Sequence, residues 1–170
     1  MYQVGEHVLY CLHGVCEISS IEDIKFGDVT QNYYILKPVF DSGATVFVPT
    51  EKENLVSKMQ PLLSSKKITE LIDGLPVQEE YWIEFEPDRK EQYKKIIEGE
   101  DRKLQLGILK GILLQRKKLV ALKRKMHSSD EIFLKNVEKR LYEEFSFVLD
   151  KTKDELSSII YDNLGFSLTE

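Results

Sequence analysis

The residues best suited to chemistry are Cys11, His13 and Cys16, three soft-metal ligands within six positions. A closed zinc site takes four such ligands, and His7 is the only nearby candidate for the fourth. Positions 11 and 16 differ by an odd number, so on one regular strand they face opposite ways. Ordinary core or turn cysteines are the plainer reading; no metal and no other cofactor is expected. A metal-dependent enzyme or sensor built on these three residues is the remote alternative. The spacings G-x-x-x-x-G-K-[ST], G-x-G-x-x-G and H-E-x-x-H are absent. His127 has no neighbour that makes a nucleophile–base pair. Neither catalysis nor a small-molecule substrate is expected.

A second chemistry is electrostatic. Lys103, Lys110, Lys117 and Arg124 recur every seven residues. On an α-helix a step of seven drifts by only about 20°, so the four form one stripe. Lys118 and Lys125 flank it, and Lys135, Lys139 and Arg140 add cations on the following helix. Two readings stay open: a solvated face, or a row of phosphate contacts with salt-dependent, sequence-tolerant affinity. With no base-reading helix motif, backbone contact is favoured over sequence readout. Gly107-x-x-x-Gly111 lies in the same helix, a spacing that lets a neighbouring helix approach closely. The flanking cations exclude a bilayer there. Trp82 is the only tryptophan and sits in Glu79-Glu80-Tyr81-Trp82-Ile83-Glu84-Phe85. It either packs a helical core or serves as an apolar wedge beside unstacked bases.

Two kinds of element must position these residues. Segments 2–10, 15–24, 31–39 and 44–48 are rich in Val, Ile, Tyr and Phe, with turn signals at His13-Gly14, Phe26-Gly27-Asp28 and Asp41-Ser42-Gly43. Four or five short strands at this spacing predict a small, strongly curved barrel, and Pro49 sits where a strand would end. From Ser64 the period becomes helical. A short helix covers 66–73, and a polar link, 76–80, follows. Pro87 or Asp88 opens a helix ending near Gly99, and Asp101 caps another reaching about Met126. Its apolar set is 104, 108, 112, 119, 122 and 126, opposite the cation stripe. Ser128-Ser129-Asp130-Glu131 reads as a capping box for a helix to about Asp150. Thr152-Lys153-Asp154-Glu155 reads as a second, for a helix ending near Leu164-Gly165. The fold class is α+β: a Tudor- or SH3-like β-barrel over 1–62, a short helix and linker over 63–80, and an all-α domain over 81–170.

The chain has 170 residues, 42% apolar and 31% charged, enough for one compact domain or two small ones. Two cysteines fit a reducing compartment. No signal-like N-terminus and no apolar run near the roughly 20 residues of a membrane span are seen, so a cytoplasmic protein without membrane contact is expected. The net charge of −5 hides an uneven distribution. Residues 1–74 carry 6 basic and 10 acidic side chains, whereas residues 102–140 carry 12 and 3. Screening over about 10 Å makes the local island matter more than the sum.

The order of these pieces resembles the CarD family of bacterial RNA polymerase-binding transcription regulators. The likeness runs through Tyr2-Gln3-Val4-Gly5-Glu6-His7-Val8-Leu9-Tyr10, His13-Gly14, Tyr34-Ile35-Leu36-Lys37 and Val46-Phe47-Val48-Pro49. In the helical part it runs through Arg89, Tyr93-Lys94, Gly99-Glu100, Phe133-Leu134, Glu138, Leu141 and Glu144. Glu6 stands for the usual Asp, and Cys11-Leu12 for a common Pro-His. Ile24 and Phe47 stand where some members carry polymerase-contacting arginines. The resemblance implies an N-terminal module that docks on the RNA polymerase β subunit by an edge strand, here through Ile24, Val46, Phe47, Val48 and Pro49. It implies a helical module on upstream promoter DNA, largely sequence-nonspecific, through Trp82, Phe85, Arg89, Lys90, Lys94, Lys110, Lys117, Arg124, Lys135 and Lys139. The family's wedge tryptophan matches Trp82 by type, while counting back from Gly99 selects Phe85. Stabilisation of the open promoter complex is the implied effect. The competing class is a protein-interaction adaptor that binds no DNA.

Overall fold

The structure is a computed structural model that describes residues 1–166; the last four residues of the expected 81–170 domain lie outside them. The chain divides into two compact units, Met1–Leu62 and the chain from Leu63 onward.

The first unit is an antiparallel sheet of β1 (His7–Tyr10), β2 (Val15–Phe26), β3 (Val29–Pro38), β4 (Val46–Pro49) and β5 (Met59–Pro61), in the order β4-β3-β2-β1-β5. A single helical turn, α1 (Glu53–Val56), separates β4 from β5. The expected barrel does not close. Its would-be closing strands, β4 and β5, are only four and three residues long, and no ladder joins them. Strands β2 and β3 form a long hairpin in which Phe26 faces Val29. The two-residue loop begins with Gly27 at φ +63, the left-handed first position that a type II′ turn requires. A bulge between Ile18 and Ser20 shifts the register partway along, and Ser19 Oγ donates to the Ile35 carbonyl. Val8, Tyr10, Cys16, Ile18, Tyr34, Leu36, Val48 and Met59 form the core on one face. The register places them there, because Val8 pairs with Cys16, Ile18 with Leu36 and Tyr34 with Val48.

The second unit holds α2 (Ser65–Asp73), α3 (Glu86–Glu98), α4 (Arg102–Ala121), α5 (Ser128–Leu149) and α6 (Lys153–Leu164). Residues 63–80, read above as a short helix and linker, contribute Ile68 and Leu75 to the core of this unit. Ser64 caps α2 through the Lys67 N–H, and Asp101 caps α4 through the Leu104 N–H. Thr152 and Glu155 form the reciprocal capping box of α6. The box expected at Ser128 does not form: His127 is the N-cap of α5 and makes no side-chain cap. Asp130 is held by a distant arginine instead.

Helix α4 departs furthest from expectation. Leu106, Ile108, Leu109, Ile112 and Leu113 are all buried, so its first three turns are enclosed on nearly every side. The single apolar stripe opposite a cation stripe is therefore wrong for this stretch. The helix also stops at Ala121, not near Met126. Arg124 N–H bonds the Leu119 carbonyl and Lys123 N–H bonds that of Val120, a Schellman closure with Lys123 at φ +55. Glycine is the usual residue there; a lysine gives no stop signal in the sequence. Beyond this turn, Glu138 on α5 accepts from the Tyr161 hydroxyl at 2.8 Å. Burial raises the Glu138 carboxyl above its ordinary range and pushes the Tyr161 phenol up to about 12.

Candidate functional site

The segment from 78 to 85 is an extended strap laid across α4. Gly107 and Gly111 make this possible. A Cβ at Gly111 would stand 2.5 Å from the Tyr81 carbonyl oxygen, and one at Gly107 would stand 3.1 Å from that of Glu79. The close approach read from this glycine pair therefore exists, but its partner is an extended chain and not a helix. Tyr81 N–H donates to the Gly107 carbonyl at 2.9 Å, and the Tyr93 hydroxyl donates to the Tyr81 carbonyl at 2.7 Å. Burial pushes that phenol up well beyond its ordinary value. Lys110 Nζ donates to the Gln78 carbonyl. Lys110 is thus a fastening of the strap, not a member of an outward stripe.

Arg89 is the second fastening. It lies in the first turn of α3 and is 3% exposed. Its Nε and Nη2 grip both oxygens of Asp130 at 2.9 Å, and Nη1 donates to the carbonyls of Ile83 at 2.8 Å and Glu84 at 3.1 Å. The guanidinium also lies 4.3 Å from the centroid of the Trp82 ring. Placing Arg89 on phosphate is corrected: a buried fork already engaged by a carboxylate and two carbonyls reaches no external anion. Trp82 is half-buried and packs on the helical core, edge-on to Tyr93. Phe85, the N-cap residue of α3, is 63% exposed. Of the two aromatics that the sequence left open, Phe85 is the one that projects.

The cations separate into two groups. Arg102 grips Glu144 at 2.9 and 3.0 Å, with both side chains buried, and Arg140 Nη2 donates to the Gly99 carbonyl. The exposed group includes Lys117, Lys118, Lys123, Arg124 and Lys125 around the α4–α5 turn, Lys103 at the start of α4, Lys90, Lys94 and Lys95 on α3, and Lys135 and Lys139 on α5. Lys117 Nζ sits 6.0 Å from the Phe166 ring, and Lys90 pairs with Glu86 at 2.7 Å. Arg124 lies past the end of α4, so the seven-residue stripe is broken at both Lys110 and Arg124. Arg89–Asp130 brings the start of α5, and with it the 122–127 turn, to the end of the unit that carries Phe85. Val120, Leu122 and Ile132 are exposed close by in sequence to that turn. Glu84, Asp88 and Glu131 are exposed there too. Asp130 and the glycine seat were missed as parts of one arrangement; the only signals were the Gly-x-x-x-Gly spacing and an aromatic-rich run directly before α3.

In the first unit, β4 pairs with β3 and has no strand on its other side among the described residues. The face opposite the core carries Ile24, Phe26, Val29, Tyr33, Ile35 and Phe47. Phe26 is 64% and Phe47 51% exposed, and Tyr33 joins them through edge-to-face contacts at 6.1 and 6.4 Å. Ile24 and Val46 are half-buried, Val48 is buried in the core, and Pro49, paired with Tyr33, is buried as well. Val48 and Pro49 therefore offer a partner only backbone. Cys11 is half-buried in the turn after β1, at φ +46; Cys16 is buried in β2, and neither is in a disulfide. Among the described residues no group of three or more His, Cys, Asp or Glu comes together to hold a metal ion. No described helix is long and apolar enough to cross a membrane.

Residues 2–61 match the family described as CarD-like/TRCF RID domain. The chain is also similar to the "Putative transcription factor YdeB" of Bacillus subtilis (strain 168), 36% identical over 62 residues. That stretch covers 36% of this chain and 39% of the relative, so the match spans about two fifths of the relative's length. The match coincides with the N-terminal unit, the open sheet with its β4 edge, which is similar to a CarD-like/TRCF RID domain.

Proposed function

We propose that the chain is a transcription regulator that binds RNA polymerase through its first unit and contacts promoter DNA through its second. The observation that carries this reading is the solvent-facing aromatic row, Phe26–Tyr33–Phe47, beside an unpaired strand edge in a domain of this family. The β subunit is the proposed partner. An added strand would extend the β4 ladder, and Phe47 with Ile24 would cover an apolar surface in place of charge pairs. In the second unit, Phe85 would stack at the edge of melted DNA while Lys123, Arg124 and Lys125 hold phosphates. Higher affinity for the open than for the closed complex would shift the equilibrium toward open. Polymerase tethering would make weak, nonspecific DNA affinity sufficient. The action is placed in the cytoplasm.

Capture of RNA polymerase by the full chain tests the docking surface. Phe47→Asp lowers capture at least roughly tenfold, the scale of a central interface anchor. Undiminished capture overturns the use of this face.

An adaptor that binds no DNA is the second reading, favoured by the internal use of Arg89, Arg102, Lys110 and Arg140 and by the acids beside Phe85. An anisotropy titration on forked promoter DNA at low salt separates the two. No binding, even with polymerase present, selects the adaptor.

A further inference from the structure

We propose that Arg89 and Asp130 form a latch that fixes the end of the strap and so presents Phe85 pre-ordered to its ligand. The latch rests on the reading that Phe85 stacks on DNA bases. One guanidinium joins three things: the Ile83 and Glu84 carbonyls, the Trp82 ring, and the first turn of α5 through Asp130. Phe85 follows directly on the two gripped carbonyls, and its own carbonyl accepts the Arg89 N–H that starts α3. Its backbone is held on both sides while its ring stays in solvent.

Stability alone does not call for this device. A buried ion pair is commonly matched or bettered by well-packed apolar residues of the same volume. What an Arg–Asp fork adds is direction: four hydrogen bonds of fixed geometry that an apolar pair cannot supply. Pre-ordering matters for a stacking side chain, because freedom lost on binding subtracts from affinity. Arg89 and Asp130 are thus positioning residues that act through Phe85.

The test uses the full chain and a forked duplex carrying 2-aminopurine at the fork step. The readouts are affinity, base unstacking and the emission of Trp82, the only tryptophan. Phe85→Ala lowers affinity for the fork roughly tenfold, the scale of one lost base–aromatic stack. Arg89→Lys keeps the charge, loses the fork, and lowers affinity by a similar factor. The double variant is no worse than either single, because the latch has nothing to present once the ring is gone. Trp82 emission shifts in Arg89→Lys without DNA, and Phe85→Ala leaves it in place. Where Arg89→Lys fails to fold, Arg89→Met with Asp130→Leu keeps an apolar contact without the grip and gives the same loss. Full affinity in the latch variants while Phe85→Ala is impaired overturns the latch alone. So does a double variant that loses the product of both factors. Full affinity in Phe85→Ala overturns the stacking role itself, and the latch with it.

Discussion

The two units differ in what they leave in water. The sheet leaves aromatics: Phe26 and Phe47 stand outside a core that Tyr34, Leu36 and Val48 already fill. The helical unit leaves most of its lysines in water and draws three of its five arginines inside, Arg89, Arg102 and Arg140, while Arg124 stays exposed. The contrast follows from side-chain chemistry. A guanidinium is planar, weakly hydrated and able to satisfy two oxygens at once, so it can be buried on a carboxylate; an ammonium keeps its water. The charge of residues 102–140 therefore overstates what the surface offers an anion, and the exposed surplus gathers at the α4–α5 turn.

The contrast can be broken most severely at Arg102. Arg102→Ala leaves the Glu144 carboxylate buried without its ion partner and costs about 3–5 kcal/mol of unfolding free energy. Chemical denaturation measures it, and a loss below about 1 kcal/mol would mean that the pair is not structural. A smaller effect sharpens the other side. Changing Lys123, Arg124 and Lys125 together to Ala flattens the salt dependence of DNA binding by about 2–3 in log–log slope, with stability nearly unchanged. Lys110→Ala leaves that slope alone, because Lys110 is bound to the Gln78 carbonyl. Equal slopes for both variants would contradict the division of the cations. The smallest effect belongs to Glu138, an acid whose folded value is raised by burial. Its contribution is intact below its unfolded value near 4.5 and is lost as pH rises through the folded value. Glu138→Gln therefore raises the melting temperature at pH 7 and leaves it unchanged near pH 4. The opposite pattern would place the carboxylate in a favourable ionised contact.

Local signals in the sequence proved legible. Ser64, Asp101 and Thr152 with Glu155 cap helices as their residue types demand, since each acts within three positions of the chain. The β2–β3 hairpin was legible for the same reason, through Gly27. What escaped was long-range. Arg89 and Asp130 are 41 positions apart, and each alone reads as an ordinary surface or capping residue. The cation stripe failed at two places: at Lys110, because periodicity does not say that the strap lies over that face, and at Arg124, because the helix ends before it. Barrel closure failed because strand count does not determine whether two short edge strands meet.

The β4 edge has a consequence for timing. Only four residues, ending in a proline without an N–H, are available to a strand that adds there. So short a ladder limits non-specific zippering between copies of the chain, the usual hazard of an open edge. It also keeps the dwell time of any added strand short, because differences in residence are set mainly by how much must come apart. A partner strand that added there would therefore leave more readily than one on a longer edge.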